Sequence, residues 1–121
     1  MRILVILFLF TSCSSSMIET GLYFGQSKPD GSMITQTEWN NFKDTQIARV
    51  FKEGSTTETA TGSWYDPVSH KLISEPTYIV TYYHKKSPLI SKQIDSLRTN
   101  YQTRFQQQSV LRVDKKVKAS F

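Results

Sequence analysis

Apolar residues fall into three patterns along this chain: an unbroken run at the N-terminus, two stretches at helical spacing, and several short β-rich runs between them. The clearer helical stretch is Ile90, Ile94, Leu97, Tyr101 and Phe105, one stripe over four turns. Ser87-Pro88 stands before it, supplying an N-capping hydroxyl and a proline suited to the first helical position. The other opens on Thr35-Gln36-Thr37-Glu38, a capping-box pattern. Trp39, Phe42, Ile47 and Val50 then follow at approximately helical spacing. They predict a helix over 36–51, closed by Glu53-Gly54-Ser55.

Four strands are predicted around these helices. Leu22-Tyr23-Phe24-Gly25 is the first, ended by the turn-forming stretch Ser27-Lys28-Pro29-Asp30-Gly31. The Thr-rich segment from Thr56 to Trp64 is a second, exposed one, and Asp66-Pro67 with Ser69-His70 marks the turn after it. Thr77 to His84 is the clearest strand, β-branched or aromatic at nearly every position, as expected of a strand with neighbours on both sides. The last covers Ser109 to Val113 and resumes over 117–121. The order β-α-β-β-α-β places the chain in the α+β class with the ferredoxin-like split βαβ plan. That plan is a two-layer sandwich in which both helices cover one face of a four-stranded antiparallel sheet.

The N-terminal run from Ile3 to Phe10 follows Arg2 and is too short to span a bilayer, which takes about 20 apolar residues. It matches the apolar region of a signal peptide. Thr11-Ser12-Cys13 behind it resembles the lipobox of bacterial lipoproteins, although Phe10 stands where that pattern usually has an aliphatic residue. The resemblance implies a signal peptide over 1–12, a mature N-terminus at Cys13 bearing palmitate-type acyl chains, and a short tether over 13–20 that includes Ser14-Ser15-Ser16. One α+β domain over 21–121 follows. Ser14 after the cysteine implies the outer membrane, facing the periplasm, by resemblance to the sorting rule of enteric-type bacteria.

Composition adds constraints. The 7 Phe, 6 Tyr and 2 Trp suit a folded domain, since disordered chains lack such residues. Cys13 is the sole cysteine, which excludes an intrachain disulfide and a cysteine-based zinc site within one chain. The net charge of +5 is scattered over the sequence and favours anionic surfaces weakly.

Leu22-Tyr23-Phe24-Gly25, Pro29-Asp30-Gly31, Trp39, Phe42, Gly62 with Trp64, Glu75-Pro76 and the segment Ser109 to Asp114 together resemble the bacterial domain-of-unknown-function family 3574, small exported proteins and lipoproteins. The resemblance covers 21–121. Gln108 stands where members often carry Glu, and Lys118 where many have a second Cys. It implies the architecture and carries no activity with it.

Candidate chemistry is sparse. His70 and His84 flank the third strand, and with Glu75 they form a metal or acid–base site only if the turn between strands two and three folds back. There is no Gly-x-Ser-x-Gly elbow and no Gly-rich phosphate loop. The aromatics carry more weight. Tyr78 and Tyr82 share one face of the third strand, expected to be the helix-free one, and with His84 they are the candidate binding residues. Two readings follow: a non-enzymatic, membrane-anchored module that binds a ligand or partner with its open sheet face, or a small enzyme or cofactor-binding protein with a pocket between two sheets in a dimer. No metal and no resident cofactor is expected. The expected partners are the membrane, through the lipid anchor, and a second copy or an envelope protein, rather than nucleic acid.

Overall fold

A computed structural model describes residues 16–121, so the proposed signal peptide and Cys13 lie outside the described residues. The elements run β1 (Ser16–Gly25), α1 (Gln36–Phe42), a π turn (Lys43–Ile47), α2 (Ala48–Val50), β2 (Thr56–Asp66), β3 (Lys71–His84), α3 (Pro88–Phe105) and β4 (Leu111–Lys118). The four strands form one antiparallel sheet in the order β2-β3-β1-β4. Residues 36–50, one helical segment, and α3 pack on one of its faces. This is the expected ferredoxin-like plan.

The π turn explains an irregularity in the sequence. From Phe42 to Ile47 the apolar stripe steps by five residues, one too many for an α-helix. The amide of Ala48 donates to the Lys43 carbonyl, five residues back, and this wider turn returns Ile47 to the buried face beside Trp39 and Phe42. Thr35 and Glu38 make the predicted capping box, and Ser87 caps α3 ahead of Pro88.

Several boundaries differ from the sequence expectation: β2 runs on to Asp66 rather than ending at Trp64, β4 spans Leu111–Lys118 rather than starting at Ser109 and reaching Phe121, and three further differences are instructive. β1 begins at Ser16 rather than Leu22, so residues 16–20, expected in the tether, belong to the sheet. Met17 is buried there, but the polar Ser16, Glu19 and Thr20 conceal the strand: Thr20 is fully buried in a hydrogen-bonded chain and Glu19 lies within 3.7 Å of Lys115. β3 starts at Lys71, six residues early, in register with β2 from Asp66↔Lys71 onward. β4 runs unbroken through Asp114-Lys115-Lys116, since each of these charges lies opposite a β1 residue and β4 is an edge strand with solvent beside it.

The core lies between sheet and helices. Phe24, Trp39, Phe42, Tyr101 and Phe105 form an edge-to-face aromatic cluster, with Phe24 and Tyr101 centroids 4.7 Å apart. The Tyr101 hydroxyl donates to the Gly25 carbonyl at 2.7 Å and accepts from Gln26 Nε2 at 3.0 Å, fastening α3 to the end of β1. Burial pushes that hydroxyl far above the ordinary phenol range, so it acts as a fixed donor.

Candidate functional site

Register separates the two faces of the sheet. On β1, Thr20, Leu22 and Phe24 point to the helices, so Glu19, Gly21, Tyr23 and Gly25 point away. Their partners on β3 (Tyr83, Thr81, Ile79 and Thr77) share the open face, as do Leu111, Val113 and Val117 of β4. Tyr23, Ile79, Val113 and Val117 are half-buried there, and Tyr83 and Leu111 are exposed.

Tyr78 and Tyr82 therefore lie on the opposite face from the one expected. Tyr78 stacks on Trp39 with centroids 4.5 Å apart and donates to Gln36 Oε1. Tyr82 is 5% exposed and stacks between Phe51 and His84, at 4.3 and 5.2 Å. Both rings sit against the helical layer and cannot serve as an open stacking surface. The cause is that both sides of this strand carry β-branched or aromatic residues, so alternation alone does not reveal which side is covered.

His84 is also buried, at 4% exposure, but it joins a polar chain. Its Nε2 lies 2.8 Å from the Thr20 hydroxyl, which donates to Asp114 at 2.6 Å, and its Nδ1 lies 2.9 Å from the Lys85 carbonyl. Thr20 has a single proton, already given to Asp114. All three bonds are made at once when both ring nitrogens carry protons. Burial alone would raise the Asp114 carboxyl, but hydrogen bonds from Thr20 and Arg112, with the Arg112 charge, hold it below the ordinary carboxylate range. Arg112 extends the chain to Asp95 and to the Ser91 carbonyl of α3. The arrangement ties β1, β3, β4 and α3 together where the chain enters the sheet. His70 stands at the other end of β3, near Tyr65, roughly 45 Å away along a 14-residue strand, so the two histidines and Glu75 do not converge.

Two further features escaped the sequence reading. β1 pairs with β3 only from Thr77 onward, so residues 61–66 and 71–76 project past it as a two-stranded arm. Trp64, Tyr65, Val68 and Leu72 of this hairpin are 42%, 59%, 87% and 70% exposed. At the arm's base Glu75 lies flat over Gly25, where an added Cβ would meet its carboxylate at 2.9 Å, and Glu75 accepts the Ser27 amide at 3.0 Å. Gly62, opposite Glu75 on β2, is similarly filled by the Thr77 hydroxyl at 2.8 Å from an added Cβ. The turn at 67–70 marked a hairpin, but how far its arm outruns β1 depends on pairing that no local pattern records.

Among solved structures, a phage SAM lyase in complex with S-methyl-5'-thioadenosine superposes with a TM-score of 0.65 at 16% identity, over 89% of this chain and 87% of that one. A phage SAM lyase in the apo state gives 0.63 at 14% identity, covering 93% and 98%. CutA from Synechococcus elongatus gives 0.54 at 8%, covering 87% and 80%. These likenesses support the fold. No curated protein matches the sequence significantly. Residues 19–121 match the family described as protein of unknown function DUF3574, and the chain belongs to that family.

Proposed function

We propose that this chain is a lipid-anchored envelope module, held through Cys13 at the outer membrane, that works by binding rather than catalysis and associates with a second copy of itself. One observation carries the association: apolar side chains stand on the same side of the open sheet face and of the projecting arm, on either side of the Glu75 carboxylate at the arm's base. Tyr23, Ile79 and Val113 lie within the sheet, and Trp64 continues the same side of the arm. A two-stranded hairpin is marginally stable alone in water, and apolar side chains exposed together on one side of it favour association. Covering the arm with another copy would answer both.

The test is solution mass. The wild type is expected to be oligomeric, and replacing Trp64 and its cross-strand partner Ile73, which share that side, with Ser should yield a monomer whose Tm stays within a few degrees. A wild type that is monomeric at all concentrations refutes the association. Cys13→Ala should abolish incorporation of labelled palmitate, and equal labelling of variant and wild type refutes the anchor.

A second reading, a small-ligand site completed between copies, draws on the structural neighbour that holds S-methyl-5'-thioadenosine and on the Glu75 carboxylate seated over Gly25. Calorimetric titration with that nucleoside should then show heat that Glu75→Gln removes. The absence of heat from the wild type retires this reading.

A further inference from the structure

The end of the domain at which the chain enters the sheet is a basic pole. Ser16 pairs with Lys118 and Ile18 with both Lys116 and His84, so Lys85-Lys86 lie beside the start of β1. The first turns of α3 emerge at the same end. There Leu89 is 67% exposed and lines one shallow groove with Lys92 and with Arg49 of α2. None of these six cations has a carboxylate within ion-pair distance among the described residues. Most acids of this end are neutralised: Glu19 is beside Lys115, and Asp95 and Asp114 are held by Arg98 and Arg112, leaving Glu53 and, near Tyr83, Glu58 against the six cations.

We infer that this pole docks on an anionic bilayer surface, with Leu89 entering the headgroup layer and the lysines facing lipid phosphates. The inference rests on the anchored reading above, and it adds an orientation: the basic end lies against the membrane and the hairpin arm points away from it. Charge complementarity identifies the occupant. Basic residues near a bilayer surface are each attracted by anionic lipid within about a Debye length, and a solvent-facing leucine amid them supplies the apolar contact of an interfacial segment. An acyl anchor and a basic patch are the two signals that together fix a protein at a surface. The geometry matches this need, since the anchor would arrive at Ser16, beside Lys118.

The experiment uses the full chain attached to vesicles of phosphatidylcholine alone, or of phosphatidylcholine and phosphatidylglycerol in equal parts. Amide hydrogen exchange is read over 85–92 and 116–118. Exchange there should slow at least about tenfold on the anionic vesicles only. Salt at about 1 M, where the Debye length falls to about 3 Å, should abolish the difference. Replacing Lys85, Lys86, Lys116 and Lys118 together with Glu should remove the protection, while the same four as Arg should retain it. Attachment to both vesicle types with equal exchange at the pole overturns the docking and leaves the anchor standing. Attachment to anionic vesicles alone, released by salt, supports the docking and removes the anchor. Protection by inorganic polyphosphate but by neither vesicle overturns it in favour of a soluble polyanion.

Discussion

The two faces of the sheet are built from the same strands and obey opposite rules. Leu22, Phe24 and Val80 are fully buried beneath the helices, whereas their immediate neighbours Tyr23 and Ile79 remain half-buried on the side with no helical cover. Along β3 both faces carry similar strand-forming residues. What separates them is the company each side chain keeps: Phe24 touches three aromatic rings from two helical segments, and Tyr23 lies between its strand neighbours Ile79 and Leu111 and over Gly21. The covered face supplies stability, and the open face keeps apolar area that can be spent on association.

Adjacent substitutions test that division most severely. Phe24→Ala should cost about 3–5 kcal/mol, because it removes a ring from a filled aromatic cluster. Tyr23→Ala, one residue away, should cost less than about 1 kcal/mol in the monomer. Urea denaturation at a concentration too low for association measures both. Comparable losses from the pair would mean that the open face is covered within one chain.

Much of this architecture was legible in the sequence. The stripe from Ile90 to Phe105, the capping box at Thr35 and the proline behind Ser87 are local features whose physics is complete within a few residues, and each lies where expected. The side on which Tyr78 and Tyr82 fall was not legible from β3, where Thr77, Ile79 and Thr81 look as strand-like as Tyr78, Val80 and Tyr82. β1 held a better signal. There Gly21 and Gly25 alternate with Leu22 and Phe24, and the register Leu22↔Val80 carries that polarity onto β3. The chain from His84 through Thr20 to Asp114 was illegible for another reason: its members are 64 and 94 residues apart in sequence and meet only through strand pairing.

That chain gives the next test, on the covered face but with polar groups. Thr20→Val keeps shape and removes the hydroxyl linking His84 to Asp114, and should cost about 1–3 kcal/mol by leaving buried polar atoms unpaired. Asp114 also sets an acid dependence. Its folded pKa lies below the ordinary value of 3.8, so its contribution is complete above that value and is lost as pH falls through the lowered folded one. Denaturation midpoints at successive pH values should therefore fall less steeply below 3.8 in Asp114→Asn than in the wild type. Identical acid slopes would show that the Arg112 and Thr20 contacts do not hold the carboxylate in solution.

The smallest effect distinguishes two glycines on the open face. Gly62→Ala drives its methyl group to 2.8 Å from the hydroxyl of Thr77, a β-branched side chain only 8% exposed, whose χ1 is restricted and has little room to turn. Overpacking of that kind costs about 1–3 kcal/mol. Gly25→Ala meets the Glu75 carboxylate at 2.9 Å, but this is the far end of a flexible chain, free to swing away at the expense of its bond from the Ser27 amide. The loss should stay below about 1 kcal/mol, since an exchange with water replaces a hydrogen bond of modest net worth. Thermal unfolding of the two variants gives the order. If Gly25→Ala proves the more damaging, Glu75 is held by something stronger than the Ser27 amide, and the base of the arm is a rigid site rather than an adaptable surface.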